Sequence, residues 1–366
     1  MRPLDSASQM TQPRFLVIAD GAFGPETSKT ANSAIRYLPE RVVAVFDRAA
    51  TGRTAHEVLG FGGAIPVVRT FAEGLALGPD AVMIGIAPAG GRLPAEWRGW
   101  ILEALDRGLG VWSGLHTFIG DDPEFAARAR ASGASILDAR RPPADLRVSD
   151  GRTRALDALV VLTVGSDCNV GKMTAQLQLV RGLNARGIVT RFAATGQTGI
   201  LIEGKGIAVD AVVADFIGGA AERLVLDVAD GADVVLVEGQ GSLIHPAYSG
   251  VTLGLLHGAC PRAMILCHQA SRTMIGDYGG RAPWVPIPPL AELVRIYEDA
   301  ARPVAPAAVI GVALNTYDLS DAAARAAIAA AERATGLPAT DPVRYDADRL
   351  VEAVARALAR WRAGPA

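Results

Sequence analysis

The sequence predicts an α/β protein of two domains, each a parallel sheet covered by helices. Three observations carry that expectation. Short, continuous apolar runs alternate with helical patterns along the chain, which is the signature of βαβ units. The alternation breaks once, at a polar stretch around the Pro142-Pro143 pair. A Gly-rich turn ending in Gly-Lys sits between an apolar strand and an amphipathic helix.

The 366 residues allow two or three domains at roughly 100–200 residues each. Thirty-six basic residues stand against 38 acidic ones, a net of −2. That balance gives no electrostatic footprint for nucleic acid. No apolar stretch reaches the roughly 18 residues needed to cross a bilayer, and Met1–Pro13 lacks the apolar core of a secretion signal. Three cysteines without a C-x-x-C pair argue against a disulfide scaffold or structural zinc. A cytoplasmic protein is expected, with no nucleic-acid or membrane partner and no bound metal. Its partner is a small molecule, and a homo-oligomer is expected.

In the first half, Arg14–Ala19, Val42–Phe46, Ala81–Ile86 and Gly110–Trp112 read as buried strands, with helices over Thr27–Tyr37 and Pro94–Arg107. Asp20-Gly21 ends the first strand and Asp47 the second. An acid at that distance beyond a Gly turn is a ribose-reading position in dinucleotide sites, although the full G-x-G-x-x-G is absent. Gly85–Gly91 and Ser113–Thr117, with His116, make the same edge Gly-rich. Arg140–Asp157 reads as the linker, so the expected domains are 1–148 and 149–366. In the second half, strands are expected at Leu159–Val164, Thr190–Ala194, Asp233–Val237, Ala263–Cys267 and Ala308–Ala313, and a terminal helix over Ala347–Ala363.

The sharpest signal is Gly165-Ser-Asp-Cys-Asn-Val-Gly-Lys-Met-Thr174. Backbone N–H groups at such a turn, with the helix dipole behind them, favour a polyanion. The candidate phosphate-binding residues are therefore Ser166, Asp167, Cys168, Asn169, Val170, Gly171, Lys172, Met173 and Thr174. Two features depart from the usual phosphate loop. Five residues separate the glycines instead of four. Met173 stands where a Ser or Thr hydroxyl normally holds Mg²⁺, and Thr174 is displaced about 100° around the helix. The loop therefore suits a pyrophosphate used as a handle, as in coenzyme A, better than Mg·ATP.

The five-residue spacing with Asp at its third position resembles dethiobiotin synthetase and related ligases. So does Val237-Glu238-Gly239 at a strand end. That resemblance implies a Mg²⁺ role for Glu238 and an adenine-reading Asn, for which Asn315 is the matching residue.

Further clusters follow the second-half strands: Ala194–Gly199, Asp210–Gly219, Glu238–Ser249, and Cys267-His268 with Arg272 beyond. Asp215 is either a helix cap or a base. Glu238, directly after a buried strand, is costly there without a partner. His245 and His268 each have a structural as well as a functional reading. Cys168 reads as a small loop residue.

Taken together, Asp20-Gly21, Gly85-Ile-Ala-Pro88, Ser113-Gly-Leu-His116, the loop to Thr174, Thr195-Gly-Gln-Thr-Gly199, Asp210–Phe216, Val237–Ser242, His245–Gly250 and Cys267-His268 resemble one family across nearly the whole chain. It is the two-domain family typified by D-glutamate N-acetyltransferase. The resemblance implies a Rossmann-like N-terminal domain and a P-loop, dethiobiotin-synthetase-like C-terminal domain. It also implies acetyl transfer from acetyl-CoA, as co-substrate, to the amine of a D-amino acid. On that reading Asp215 or Glu238 is the catalytic base. Gln197, Thr198, His245 and Arg272 contact the acceptor, with Arg262 and Arg281 as further candidates for its carboxylates. A Mg·ATP-dependent ligase or kinase and a non-catalytic nucleotide sensor are the alternatives.

Overall fold

The apolar runs form the centres of two parallel sheets in the computed structural model, which describes residues 13–88, 91–276 and 285–364. One unit runs to Arg141 and includes Ile200–Lys205. The other comprises Pro142–Gly199 and the chain from Gly206 onward.

In the first unit the strands are β1 (Phe15–Ile18), β2 (Val42–Phe46), β3 (Val67–Val68), β4 (Ala81–Ile84), β5 (Gly110–Ser113) and β6 (Ile136–Asp138). Their order is β3-β2-β1-β4-β5-β6, all parallel. Helices α1 (Lys29–Tyr37), α2 (Ala55–Leu59), α3 (Phe71–Ala76), α4 (Arg98–Asp106) and α5 (Pro123–Ser132) connect them. This is the doubly wound order of dinucleotide-binding domains, with its switch between β1 and β4. The position after β4 is Gly85. A Cβ there would lie 2.5 Å from Val17 and 2.9 Å from Ala31, so glycine is what lets α1 approach the sheet.

The acids at this edge are occupied. Asp47 is fully buried and accepts from the backbone N–H groups of Phe23, Ala49 and Ala50. Asp20 is paired with Arg48, whose hydrogen bonds hold its carboxyl below the usual range although burial opposes this. The ribose-reading position is thus taken up by the protein's own backbone.

In the second unit the strands are β7 (Leu159–Gly165), β8 (Thr190–Ala193), β9 (Val234–Val237), β10 (Ala263–Gln269), β11 (Ala308–Asn315) and β12 (Ala339–Thr340). Their order is β12-β11-β10-β7-β9-β8, again all parallel. The helices are α6 (Lys172–Ala185), α7 (Gln197–Glu203), α8 (Ile217–Val228), α9 (Ser249–Ala259), α10 (Leu290–Ala301), α11 (Asp321–Thr335) and α12 (Asp348–Ala363). Strand side chains alternate between two apolar layers. Val160, Leu162, Val235 and Leu266 pack with α8, α9 and α10. Leu159, Val161, Leu236 and Ile265 pack with α6 and α12. Cys267 belongs to the second layer, where burial pushes its thiol up to about 12 and leaves it inert.

The linker is tied to the second unit by Glu222 of α8. Its buried carboxylate accepts from Ser149 Oγ and from the backbone N–H groups of Asp150 and Arg152. The structure adds β3, β6 and β12, edge strands of two or three residues, too short to carry a period.

Helices α8 and α9 meet through glycine. A Cβ on Gly258 would lie 2.0 Å from the Gly218 carbonyl oxygen, whereas one on Gly250, in the same helix, meets nothing within 4 Å. Gly258→Ala is expected to cost about 1–3 kcal/mol or more through overpacking. Gly250→Ala should be neutral or stabilising by up to about 1 kcal/mol. Denaturant midpoints of the two variants measure the contrast, and equal midpoints would refute the close helix approach.

Candidate active site

Parallel strands end on one edge, so the segments after β7, β8, β9, β10 and β11 converge there by topology. The reversal in strand order falls beside β7, whose neighbours are β10 and β9.

The turn after β7 is shaped by its own buried polar groups. Asp167 is fully buried. Its Oδ1 accepts from the Cys168 backbone N–H at 2.7 Å, and its Oδ2 from Arg272 Nη1 at 2.8 Å and the Gly276 N–H at 2.6 Å. Arg272 also donates to the Cys168 carbonyl and to Gln269 Oε1. Ser166 donates its backbone N–H to the Cys267 carbonyl, and its hydroxyl lies 2.9 Å from His268 Nδ1. Asn169 takes a left-handed φ of 54° and Gly171 one of 101°. The backbone thereby curls into α6, whose first turn has no side-chain cap. Lys172, the first residue of α6, is buried and donates from Nζ to the Asp167 carbonyl at 2.7 Å, across the mouth of the curl. Val170 and Met173 are buried, Val170 in the apolar layer shared with α6 and α12, while Thr174 is half-buried one residue further along.

Beside this loop lies a second group of polar residues. Glu238, after β9, is 4 % exposed, and its Oε2 accepts from the backbone N–H groups of Thr195 and Gly196 at 3.0 and 3.1 Å. Thr195 Oγ1 donates to the Glu238 carbonyl and accepts from Gln240 Nε2. Glycines make room for the carboxylate: a Cβ on Gly199 would lie 2.5 Å from Glu238 Oε2. Gln197, half-buried, opens α7, and Thr198 behind it is buried. The chain thus brings Glu238 together with the turn after β8, two clusters that the sequence puts on one edge.

The remaining candidates are distributed unevenly. His245 is buried; its Nδ1 accepts from the Ala247 N–H, and its Nε2 stands 3.9 Å from Asp167 Oδ1. Asp215 is exposed in a short 3-10 turn ahead of α8, and neither caps that helix nor makes a hydrogen bond among the described residues. Asp210 is likewise exposed. Asn315 ends β11, with Oδ1 accepting from the Tyr317 N–H. Arg272 is engaged with the loop, and Arg262 donates to the Arg154 carbonyl. Arg281 lies outside the described residues.

Asp167, Cys168 and His245 place an oxygen, a sulfur and a nitrogen within 4.8 Å of one another. Their chemistry favours hydrogen bonding over a cation. Asp167 is neutralised by Arg272, and a His245 Nδ1 that accepts a hydrogen bond leaves the proton on Nε2.

Two contributors escaped sequence reasoning. The hydroxyl of Tyr297, fully buried on α10, donates to the Gly165 carbonyl at 2.7 Å and accepts from the Gly165 and Leu243 N–H groups. It ties the end of β7 to the segment after β9, and burial raises its pKa. A tyrosine 132 residues from its partner leaves no local signal. Thr163 is the second. It is the one polar residue within the apolar β7 run, and its Oγ1 accepts from the Gly239 N–H. That lone polar residue was a usable signal. Gly239 itself has no room for a side chain, since a Cβ would lie 1.7 Å from the Thr163 carbonyl.

Comparison with known proteins gives a consistent assignment. Residues 147–351 match the "Domain of unknown function (DUF1611_C) P-loop domain", and residues 48–142 the "Domain of unknown function (DUF1611_N) Rossmann-like domain". The chain is 42 % identical over 291 residues to D-glutamate N-acetyltransferase of Tritonibacter scottomollicae, covering 78 % of this chain and 84 % of that protein. It is 36 % identical over 280 residues to the protein of the same name from a Pseudoalteromonas species, covering 76 % and 82 %. A crystal structure of a DUF1611 family protein from Anabaena variabilis superposes with a TM-score of 0.88 at 39 % identity, covering 94 % of this chain and all of that one.

Burial, with the charge of Arg272 adding to it, lowers the His268 imidazole to about 4. A histidine depressed in the folded state keeps its full stability contribution above the ordinary value near 6.5, and loses it as pH falls toward 4. Melting temperature is therefore expected to drop between pH 6.5 and 4. His268→Asn, which keeps a polar partner for Ser166, should show a smaller drop. An equal drop in both proteins would refute the assignment.

Proposed function

The chain belongs to the DUF1611 family, and on that premise we propose that it is an N-acetyltransferase that moves the acetyl group of acetyl-CoA to the amine of D-glutamate. The observation that carries the cofactor half is the loop after β7: its backbone curls into the uncapped start of α6 beside Lys172, but the metal-hydroxyl position is a buried methionine. Mg²⁺ takes hard oxygen ligands. A thioether does not supply one, so the residue after Lys172 offers no such ligand. This donor set suits phosphates held as a handle better than Mg·ATP.

The strand order supports a layout for the remainder. The ends of β7 and β8 are two strand spacings, about 10 Å, apart. Phosphates at β7 leave the pantetheine arm to run toward β9 and β8, where Thr195, Gln197, Thr198 and Gln240 offer polar groups to an amino acid. Glu238 is the better-placed base, being buried and held in one orientation, whereas Asp215 lies in an exposed turn. The base takes a proton from the acceptor ammonium. The amine nitrogen then bonds to the thioester carbonyl carbon, the C–S bond breaks, and CoA leaves as its thiol after gaining a proton. Past the Gly196 amide that Glu238 already holds, the N–H groups of Gln197, Thr198 and Gly199 at the start of α7 are the donors suited to the developing oxyanion.

Thiol release from acetyl-CoA is expected with D-glutamate, and more weakly with L-glutamate. No release with any amino-acid acceptor would overturn the proposal. Glu238→Gln should lower kcat by about 10²–10⁴-fold if Glu238 is the base, and an unchanged kcat would return that role to Asp215. Lys172→Ala removes a charged donor and should raise KM for acetyl-CoA about ten-fold or more. Steady-state kinetics with the acceptor saturating checks both.

A further inference from the structure

Resting on the acetyl-CoA reading above, we infer that Tyr317 is the stacking platform for the adenine base of the CoA donor. With phosphates after β7, the base has two directions along the sheet edge. Toward β9 and β8 the edge is lined by Glu238, Gln240, Thr195 and Gln197, a polar set suited to an amino acid, and the exposed ring of Tyr248 on that side is packed on His245. Toward β11 and β12 it carries an exposed aromatic ring.

The segment that bears the ring is braced on every side. Thr316 donates both its N–H and its hydroxyl to Asp341 Oδ2, and Asp341 Oδ1 accepts from the N–H groups of Val343 and Arg344. One buried carboxylate thus locks the turns after β11 and β12 together. Arg344 Nη1 donates to the carbonyls of Thr316 and Leu319. Asp318 is bound by Gln269 and Ser271. Asn315 holds the Tyr317 N–H. The backbone and the flanking side chains are committed to the protein, but the Tyr317 ring is 62 % exposed. Val343, on the partner turn, is also exposed, at 41 %. A braced turn that presents an exposed aromatic ring is suited to the flat apolar face of a nucleobase. Base–aromatic stacking depends on the ring and not on the phenolic hydroxyl.

Kinetics with two donors test this, acetyl-CoA and S-acetyl-4′-phosphopantetheine, which keeps a phosphate and the thioester but has no base. Tyr317→Ala is expected to raise KM for acetyl-CoA about ten-fold, with kcat within two-fold. Tyr317→Phe should leave both nearly unchanged. Neither variant should alter KM for the truncated donor. An unchanged KM for acetyl-CoA in Tyr317→Ala, or an equal rise with both donors, would overturn the inference. Wild-type protein that uses acetyl-CoA no better than the truncated donor would also overturn it, while leaving acetyl transfer intact. Failure of wild-type protein to use either donor would remove the acetyl-CoA reading and this inference together.

Discussion

A buried carboxylate at the first bend after β7 sets the shape of the site. Asp167 has no solvent to stabilise its charge, so it must be satisfied by the protein, and it is: by Arg272, by the Gly276 amide and by the Cys168 amide. An ion pair of this kind contributes little net stability, but removing one partner strands the other at several kcal/mol. That asymmetry fixes the geometry. Arg272 cannot leave without exposing Asp167, so the segment after β10 stays fastened to the turn after β7. The same turn is held from the other side by the Tyr297 hydroxyl. Loop backbone is thus held in place by side chains at the start of α6.

Glu238 follows the same logic at the next strand. Its carboxylate is tolerable in the interior because two backbone amides of the β8 turn point at it. They can do so because Gly199 has no side chain to intervene. Gly239, pressed onto the Thr163 carbonyl, draws the strand end in close enough for this. The Thr-Gly-Gln-Thr-Gly and Val-Glu-Gly segments are therefore two halves of one device, far apart in the chain and joined across β9 and β8.

The first unit shows why a fold and a ligand are separate inferences. Its strand order is that of dinucleotide-binding sheets, yet Asp47 spends its oxygens on the backbone of its own loop, and Asp20 on Arg48. An architecture able to bind a dinucleotide has here turned its edge acids to internal support.

The sequence by itself determined the class, the alternation, the longer strands within a residue or two, and the existence of a phosphate-type loop. These are local properties: apolar period, glycine punctuation, and a Gly-Lys turn between a strand and a helix. It also put Glu238 and the β8 turn on one edge, since parallel strands end together, while their adjacency came from the strand order. Edge strands such as Val67–Val68 and Ala339–Thr340 were invisible because two residues carry no period. Only the tertiary structure decided which polar residues hold the frame. Arg272 reads in sequence as an acceptor contact and serves as a brace for Asp167. Asp215 reads equally as cap or base and is neither cap nor hydrogen-bonded. Tyr297 reads as nothing and ties two strand ends together. The physical reason is common to Arg272 and Tyr297. A hydrogen bond acts over about 3 Å, while the residues it joins are separated by a hundred positions or more, and the spacing of letters carries no record of which distant partner will satisfy a buried charge.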